Sequence, residues 1–309
     1  SVSIPPPPPP SNDVHLPPPS TPRSGTTILI FPGGGYRKCT TSKEGTQIAL
    51  KFAQDGHCSF VASYDVGPIR VPFARSRKVE PIVRQGLSAL EYVRSKSKEG
   101  SEQRGNVDPR RICICGFSAG GHLALAVLEK DAERRSQVQN PPPSIAATIL
   151  VYPTMRSPTC WCILGGLHIV PSSLGKNWED EGEHRYCYGS NVKAMGRLLP
   201  SLSPHVFCCT VKGDMLLPKH KNAGLLIGAM RTCWMNKVGI IEDCNEGPWY
   251  LPHGIGWHKG WGERAKDFLK RAMDNSPRPD NDDAHNPNEP DSKKQQRGEM
   301  SSTIMGVVR

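Results

Sequence analysis

Hydrophobic positions in this chain fall into two rhythms that alternate from about residue 26 to residue 273. Short, nearly unbroken apolar runs rich in β-branched residues occur at "TTILIF" (26–31), "HCSFVASY" (57–64), "RICICGF" (111–117) and "AATILVYP" (146–153). Two more follow, "HVFCCTVKGD" (205–214) and "VGIIEDC" (238–244). Runs of this length and composition read as strands buried on both faces. Between them the period lengthens to that of a helix. Residues 40–56 place Ile48 and Phe52 on one face, with Thr41 and Glu44 spaced as a capping box. Val79, Ile82, Val83, Leu87, Leu90 and Val93 recur at three- and four-residue steps. Further helices are predicted from Ala119, over 221–234, and along a last stripe of Trp261, Ala265, Phe268, Leu269, Ala272 and Met273. Strands alternating with helices imply an α/β fold, a mostly parallel sheet with helices on both faces.

The flanks do not share this pattern. Residues 1–23 are dominated by proline, which favours extended polyproline II, and are expected to form a disordered leader. Such a leader offers weak PxxP-type docking. Residues 275–309 are rich in Pro, Asn, Asp, Lys and Gln and read as a disordered polar tail. One domain over residues 24–274 remains. It includes an irregular, cap-like insertion at about 154–202, between two core strands.

Composition narrows the classes of function. No run approaches the roughly 18 apolar residues that a membrane-spanning helix needs. The eleven cysteines are odd in number, and several lie in predicted core strands, Cys113, Cys115, Cys208 and Cys209 among them, where cysteine acts as a small buried hydrophobe. The opening residues show no basic-then-apolar leader pattern and no N-x-S/T triplet occurs, so a cytoplasmic setting is expected. The net charge of +10 is spread thinly, with no dense basic run, and no nucleic-acid partner is expected.

Candidate chemistry begins at "CGFSAGG" (115–121), which contains G-x-S-x-G. By itself the motif fits either a nucleophile or a packing of small residues. Its place after a strand and before a helix is the setting of a nucleophile elbow, which makes Ser118 the candidate nucleophile. The helix that follows directs its first N–H groups toward the serine. "FPGGGY" (31–36) closes the first core strand with three glycines, so its backbone can approach a substrate closely. Gly34, Gly35 and Ala119 are the candidate oxyanion donors through their backbone N–H groups. A phosphate-binding loop is excluded there, because the G-x-x-x-x-G-K-[ST] spacing is absent.

An orienting acid should end a later strand. Asp214 does so, although an aspartate there also suits a turn or helix cap. Glu242 and Asp243 compete but lie within or just beyond the next strand. A base should follow that strand on a loop, and His253 sits between proline and glycine in "GPWYLPHGIGW" (247–257). His258 is nearby but reads as the start of the last helix. The order Ser, Asp, His results.

The segments "ILIFPGGGYRKCTTSKEG", "DPRRICICGFSAGGHLA", "KGDMLLP" and "PHGIGW" resemble esterases of the α/β-hydrolase fold. Within that fold the resemblance is to the carbohydrate-esterase-like and hormone-sensitive-lipase-like group, which includes acetylxylan and feruloyl esterases. It covers about residues 26–272 and is patchy between about 154 and 202. Pro32 stands where the commoner motif has histidine. The resemblance implies Ser118 as nucleophile, Asp214 as orienting acid and His253 as base, acting on a small-molecule ester without a metal or organic cofactor. An amidase or formamidase would use the same parts, and an idle binding scaffold would keep the same outline. In the insertion, Trp161, Trp178, Tyr186 and Tyr188 offer surfaces for a sugar or acyl group, or ordinary packing. Cys160, Cys162, His168, His184 and Cys187 match no common zinc spacing.

Overall fold

The computed structural model describes residues 12–36, 38–66, 80–96, 107–155, 163–164, 167–168, 188–212, 214, 217, 219, 222–233, 241–246 and 253–275. Its strands are β1 (Asn12–His15), β2 (Thr27–Phe31), β3 (Cys58–Ala62), β4 (Ile112–Phe117), β5 (Ala147–Val151), β6 (Ile163–Leu164), β7 (Leu167–His168), β8 (His205–Val211) and β9 (Ile241–Glu246). Its α-helices are α1 (Gln47–Ala53), α2 (Glu80–Ser95), α3 (Ala119–Ser136), α4 (Tyr188–Leu202), α5 (Ala223–Cys233) and α6 (Lys259–Asp274). Seven strands form one sheet in the order β1-β3-β2-β4-β5-β8-β9, parallel throughout except for β1.

The alternation of side chains along each strand sorts the core into two layers. Leu29, Phe31, Phe60, Ile112, Ile114, Leu150, Val206 and Cys208 face one way, against α2, α3, α4 and α5. Ile28, Ile30, Val61, Cys113, Cys115, Phe117, Ile149, Val151, Phe207 and Cys209 face the other, against α1 and α6. This explains why the strand runs are apolar without a polar alternate: neither face meets water. It also explains the cysteines in them. Cys58, Cys113, Cys115, Cys208 and Cys209 are buried cysteines, and burial pushes the Cys58 thiol up to about 11, away from the reactive thiolate.

The topology decides where a site can form. From β2 the chain steps to β3 on one side, whereas β4 lies on the other side of β2. A sheet whose order reverses in this way opens a crevice at the carboxyl ends of the two strands at the switch point. The loops after β2 and β4, which carry the glycine run and Ser118, are the ones that border it.

Four expectations need revision. Within the leader, residues 12–15 form β1, paired antiparallel with β3 from Asn12–Ala62 to His15–Ser59. This short stretch is free of proline, and it satisfies backbone groups that would otherwise be exposed on the edge of β3. The capping box is absent: the Thr41 side chain makes no cap hydrogen bond, and residues 42–46 form a π-turn ahead of α1. Glu44 is recruited elsewhere, as described below. The insertion is shorter than expected, because its last part is α4, whose Met195, Leu199 and Leu202 belong to the core. The last strand lies later, at β9, and places Glu242 and Asp243 opposite Phe207 and Cys208 in mid-strand. The proline run 5–10 and the tail from residue 276 lie outside the described residues.

His57 is a buried histidine between α1 and β3, with Nδ1 2.7 Å from Ser24 Oγ. Burial, above all, lowers its pKa to about 4. A depressed folded pKa means that its contribution is complete above the unfolded value near 6.5 and is lost as the pH falls toward 4. The loss should be on the order of 3 kcal/mol by linkage. Unfolding titrations at pH 7 and pH 4.5 should show a shallower acid loss in His57→Phe than in the native chain. Equal losses would assign the acid sensitivity to other groups.

Candidate active site

Ser118 follows β4 directly, with φ 50° and ψ −117°. That conformation is costly for a residue with a Cβ and persists only where neighbouring contacts enforce it. Here they do. The Ser118 N–H donates to the Val151 carbonyl at 3.0 Å, and its own carbonyl accepts from the N–H groups of Gly121, His122 and Thr154 at 3.0, 3.2 and 3.0 Å. The glycines of the motif serve close approach. A Cβ on Gly120 would lie 2.1 Å from the Phe31 carbonyl oxygen and 2.4 Å from that of Pro32, so α3 starts hard against the end of β2.

The loop after β2 is tied down just as closely. The Gly33 carbonyl accepts from the Thr40 N–H at 3.0 Å, with the Thr40 hydroxyl oxygen 2.9 Å away. The Gly33 N–H donates to Glu44 Oε2 at 2.8 Å, and the Tyr64 hydroxyl donates to the Pro32 carbonyl. Gly34 takes φ 126°, where a side chain is excluded both by strain and by the Lys38 carbonyl. With this loop fixed, Gly34, Gly35, Ala119, Ser118 and His253 line one pocket of about 390 Å³. That volume lies within the usual range for small-molecule sites.

His253 lies ahead of α6 and bridges the other two predicted residues. Its Nε2 is 2.8 Å from Ser118 Oγ, and its Nδ1 is 2.8 Å from Asp214 Oδ2. An ionised carboxylate can only accept, so Nδ1 carries the proton and Nε2 is left to accept from the Ser118 hydroxyl. Asp214 stands just past β8 with its side chain 1% exposed. Its second oxygen accepts the Leu217 N–H at 2.8 Å, so it also organises its own turn. One carboxylate thus serves the turn and faces the candidate base. His258 caps α6, accepting the Gly260 N–H at Nδ1, and stays apart from this relay.

Two residues at the site escaped the sequence reading. Glu44 is 3% exposed. Besides the Gly33 N–H, its Oε2 accepts the Thr40 hydroxyl at 2.7 Å, and its Oε1 accepts the Tyr152 hydroxyl at 2.7 Å. Tyr152 follows β5 at φ 38°, and its ring lies 4.8 Å from the His253 ring, centre to centre. The Tyr152 hydroxyl in turn accepts the Gly256 N–H at 3.2 Å. Burial, with Glu44 alongside, holds the Tyr152 phenol well above its ordinary pKa, so it remains a neutral donor. The one available signal was Glu44 itself, an acid shortly after the glycine run that its spacing assigned to a cap.

The aromatic residues Trp161, Trp178 and Tyr186, and Cys160, Cys162, His184 and Cys187, lie outside the described residues. Among the described residues no three His, Cys, Asp or Glu side chains are grouped to hold a metal ion, and no helix is long and apolar enough to cross a membrane.

A parallel sheet covered on both faces, with a serine on a strained turn after its central strand and an acid and a histidine on later loops, is the alpha/beta hydrolase fold. Residues 28–163 match the family model described as alpha/beta hydrolase fold. Over 104 residues, 34% of this chain, it is 33% identical to an acetylxylan esterase of Xylanibacter ruminicola, covering 19% of that protein. Over 103 residues, 32% of this chain, it is 35% identical to endo-1,4-beta-xylanase B of Butyrivibrio fibrisolvens, covering 14% of that protein. The chain thus spans less than a fifth of the length of either relative. A solved carboxylesterase from Lactobacillus plantarum aligns with a TM-score of 0.60 over 85% of this chain and 92% of that one, at 17% identity, a likeness of fold.

Proposed function

We propose that this chain is a serine hydrolase that cleaves carboxylic esters through an acyl-enzyme, with short acyl groups or acetylated small molecules and carbohydrates as substrates. The observation that carries the proposal is the unbroken relay Ser118–His253–Asp214, with both links at 2.8 Å, whose Ser118 and His253 share one pocket with the glycine loop. His253 takes the Ser118 proton as Oγ attacks the ester carbonyl, and Asp214 holds the imidazole tautomer and supports the imidazolium that forms. The N–H groups of Gly34, Gly35 and Ala119 receive the developing oxyanion; losing one such donor typically costs about 2.7–4 kcal/mol of barrier. Collapse of the tetrahedral species breaks the bond to the alcohol, which leaves with the proton from His253. Water, activated by the same histidine, then releases the acid and restores Ser118. The preference for acetyl and sugar esters draws support from the matched stretch of the acetylxylan esterase.

A panel of nitrophenyl esters of increasing acyl length, acetylated sugars and anilides tests the proposal. Turnover of short-chain esters above that of anilides is expected, with Ser118→Ala inactive throughout. Wild-type rates in Ser118→Ala would remove this residue from the reaction, and preference for anilides would make the chain an amidase.

A further inference from the structure

Glu44 is a charged group in an unfavourable place. It is buried, and among the described residues it has no cationic partner. Its hydrogen-bond donors are all neutral: the Gly33 N–H, the Thr40 hydroxyl and the Tyr152 hydroxyl. Removing a carboxylate from water costs several kcal/mol, and an apolar residue of similar volume would serve stability as well or better. Its three hydrogen bonds offset that cost, because donors to an ionised acceptor bind more strongly than neutral pairs. What distinguishes Glu44 is where those donors lead.

Through Oε2 the carboxylate holds Gly33, the residue before the two pocket glycines Gly34 and Gly35. Gly33 packs close to the Ser118 turn, since a Cβ there would fall 2.9 Å from Ser118 Cβ and 2.9 Å from the Phe117 carbonyl oxygen. Through Oε1 it holds the Tyr152 hydroxyl, which accepts the Gly256 N–H on the loop of His253 and stacks its ring edge-on to the imidazole. The loops after β2 and after β5 therefore meet at one carboxylate, and Tyr152 links the loop ahead of α6 to it.

Resting on the hydrolase reading above, we infer that Glu44 is a positioning residue that, with Tyr152, sets the distance between the oxyanion donors and the His253 imidazole. Displacement of such groups by about 1 Å can cost on the order of 100-fold in rate, whereas ground-state binding depends on it far less. The signature is a fall in kcat with KM little changed. Glu44→Gln retains one acceptor oxygen for Gly33 and Thr40 but presents an N–H₂ group to Tyr152, so it weakens one arm. Tyr152→Phe removes that same arm from the other side by deleting a single hydroxyl. Glu44→Ala removes both arms.

The test measures kcat, KM and melting temperature for these three variants, for Glu44→Gln/Tyr152→Phe, and for Ser118→Ala, on a short-chain nitrophenyl ester. Glu44→Gln and Tyr152→Phe are each expected to lower kcat about 10- to 100-fold, with KM within about twofold. Glu44→Ala should be worse than Glu44→Gln, and the double variant should be no worse than the poorer single one, as for two members of one network. If Glu44 variants fail to fold, Tyr152→Phe decides alone. Wild-type kcat in folded Tyr152→Phe or Glu44→Gln, whatever the melting temperature, overturns the inference and leaves the hydrolase reading intact. A wild-type chain with no turnover, or an active Ser118→Ala, sinks both.

Discussion

Replacing His253 by alanine is expected to lower kcat by about 10⁴- to 10⁶-fold, and adding Ser118→Ala to it should change the rate little further. The reason lies in the geometry of the relay. His253 Nε2 is the acceptor placed for the Ser118 proton, and its Nδ1 is committed to Asp214 at 2.8 Å. Without the imidazole the serine hydroxyl has no base and is a weak nucleophile at neutral pH. Ser118 and His253 then act as one unit, so their effects do not add. The glycine loop and pocket remain, and KM should stay close to that of the native chain. Rates measured on both single variants and the double variant check this. Additive losses, with the double variant slower by the product of the two single effects, would mean that the two residues act in separate steps.

The second large effect falls on folding. Gly120→Ala should prevent the elbow from forming and destabilise the chain by more than about 4 kcal/mol, beyond the range of ordinary substitutions. The added Cβ would meet two backbone oxygens, those of Phe31 and Pro32 at 2.1 and 2.4 Å. Neither oxygen can be moved like the tip of a flexible side chain. One belongs to the last residue of β2, and the other accepts the Tyr64 hydroxyl. Relief would require α3 to back away from the sheet, which would leave a void between two close-packed layers. Thermal unfolding monitored by circular dichroism should show a melting temperature lowered by well over ten degrees, or no soluble protein. A variant with a native melting temperature would show that the helix start tolerates displacement.

The fold was legible because its strands are buried on both faces and its helices are amphipathic, so period and composition pointed the same way. The candidate nucleophile, acid and base were legible for a different reason. Each follows a strand with turn residues around it, and chain order alone places such loops on one edge of a parallel sheet. Glu44 was misread because a capping box and a buried clamp look alike in one dimension. Only the π-turn at 42–46, a tertiary choice, turns its carboxylate toward Gly33. Tyr152 gave no signal at all, since nothing in "LVYP" announces a tyrosine at positive φ. The strand at 12–15 was hidden by the prolines on either side, whose composition overwhelmed four residues that an open sheet edge could recruit.

The central claim is that Ser118 is a nucleophile activated by His253. Intact-protein and peptide mass spectrometry after treatment with a fluorophosphonate tests it most directly, because the reagent bonds covalently only to an activated serine. A single adduct on the peptide that carries Ser118 is expected, absent in Ser118→Ala and slowed by orders of magnitude in His253→Ala. Folded wild-type protein that takes up no label, or takes it up equally in Ser118→Ala, would contradict the claim.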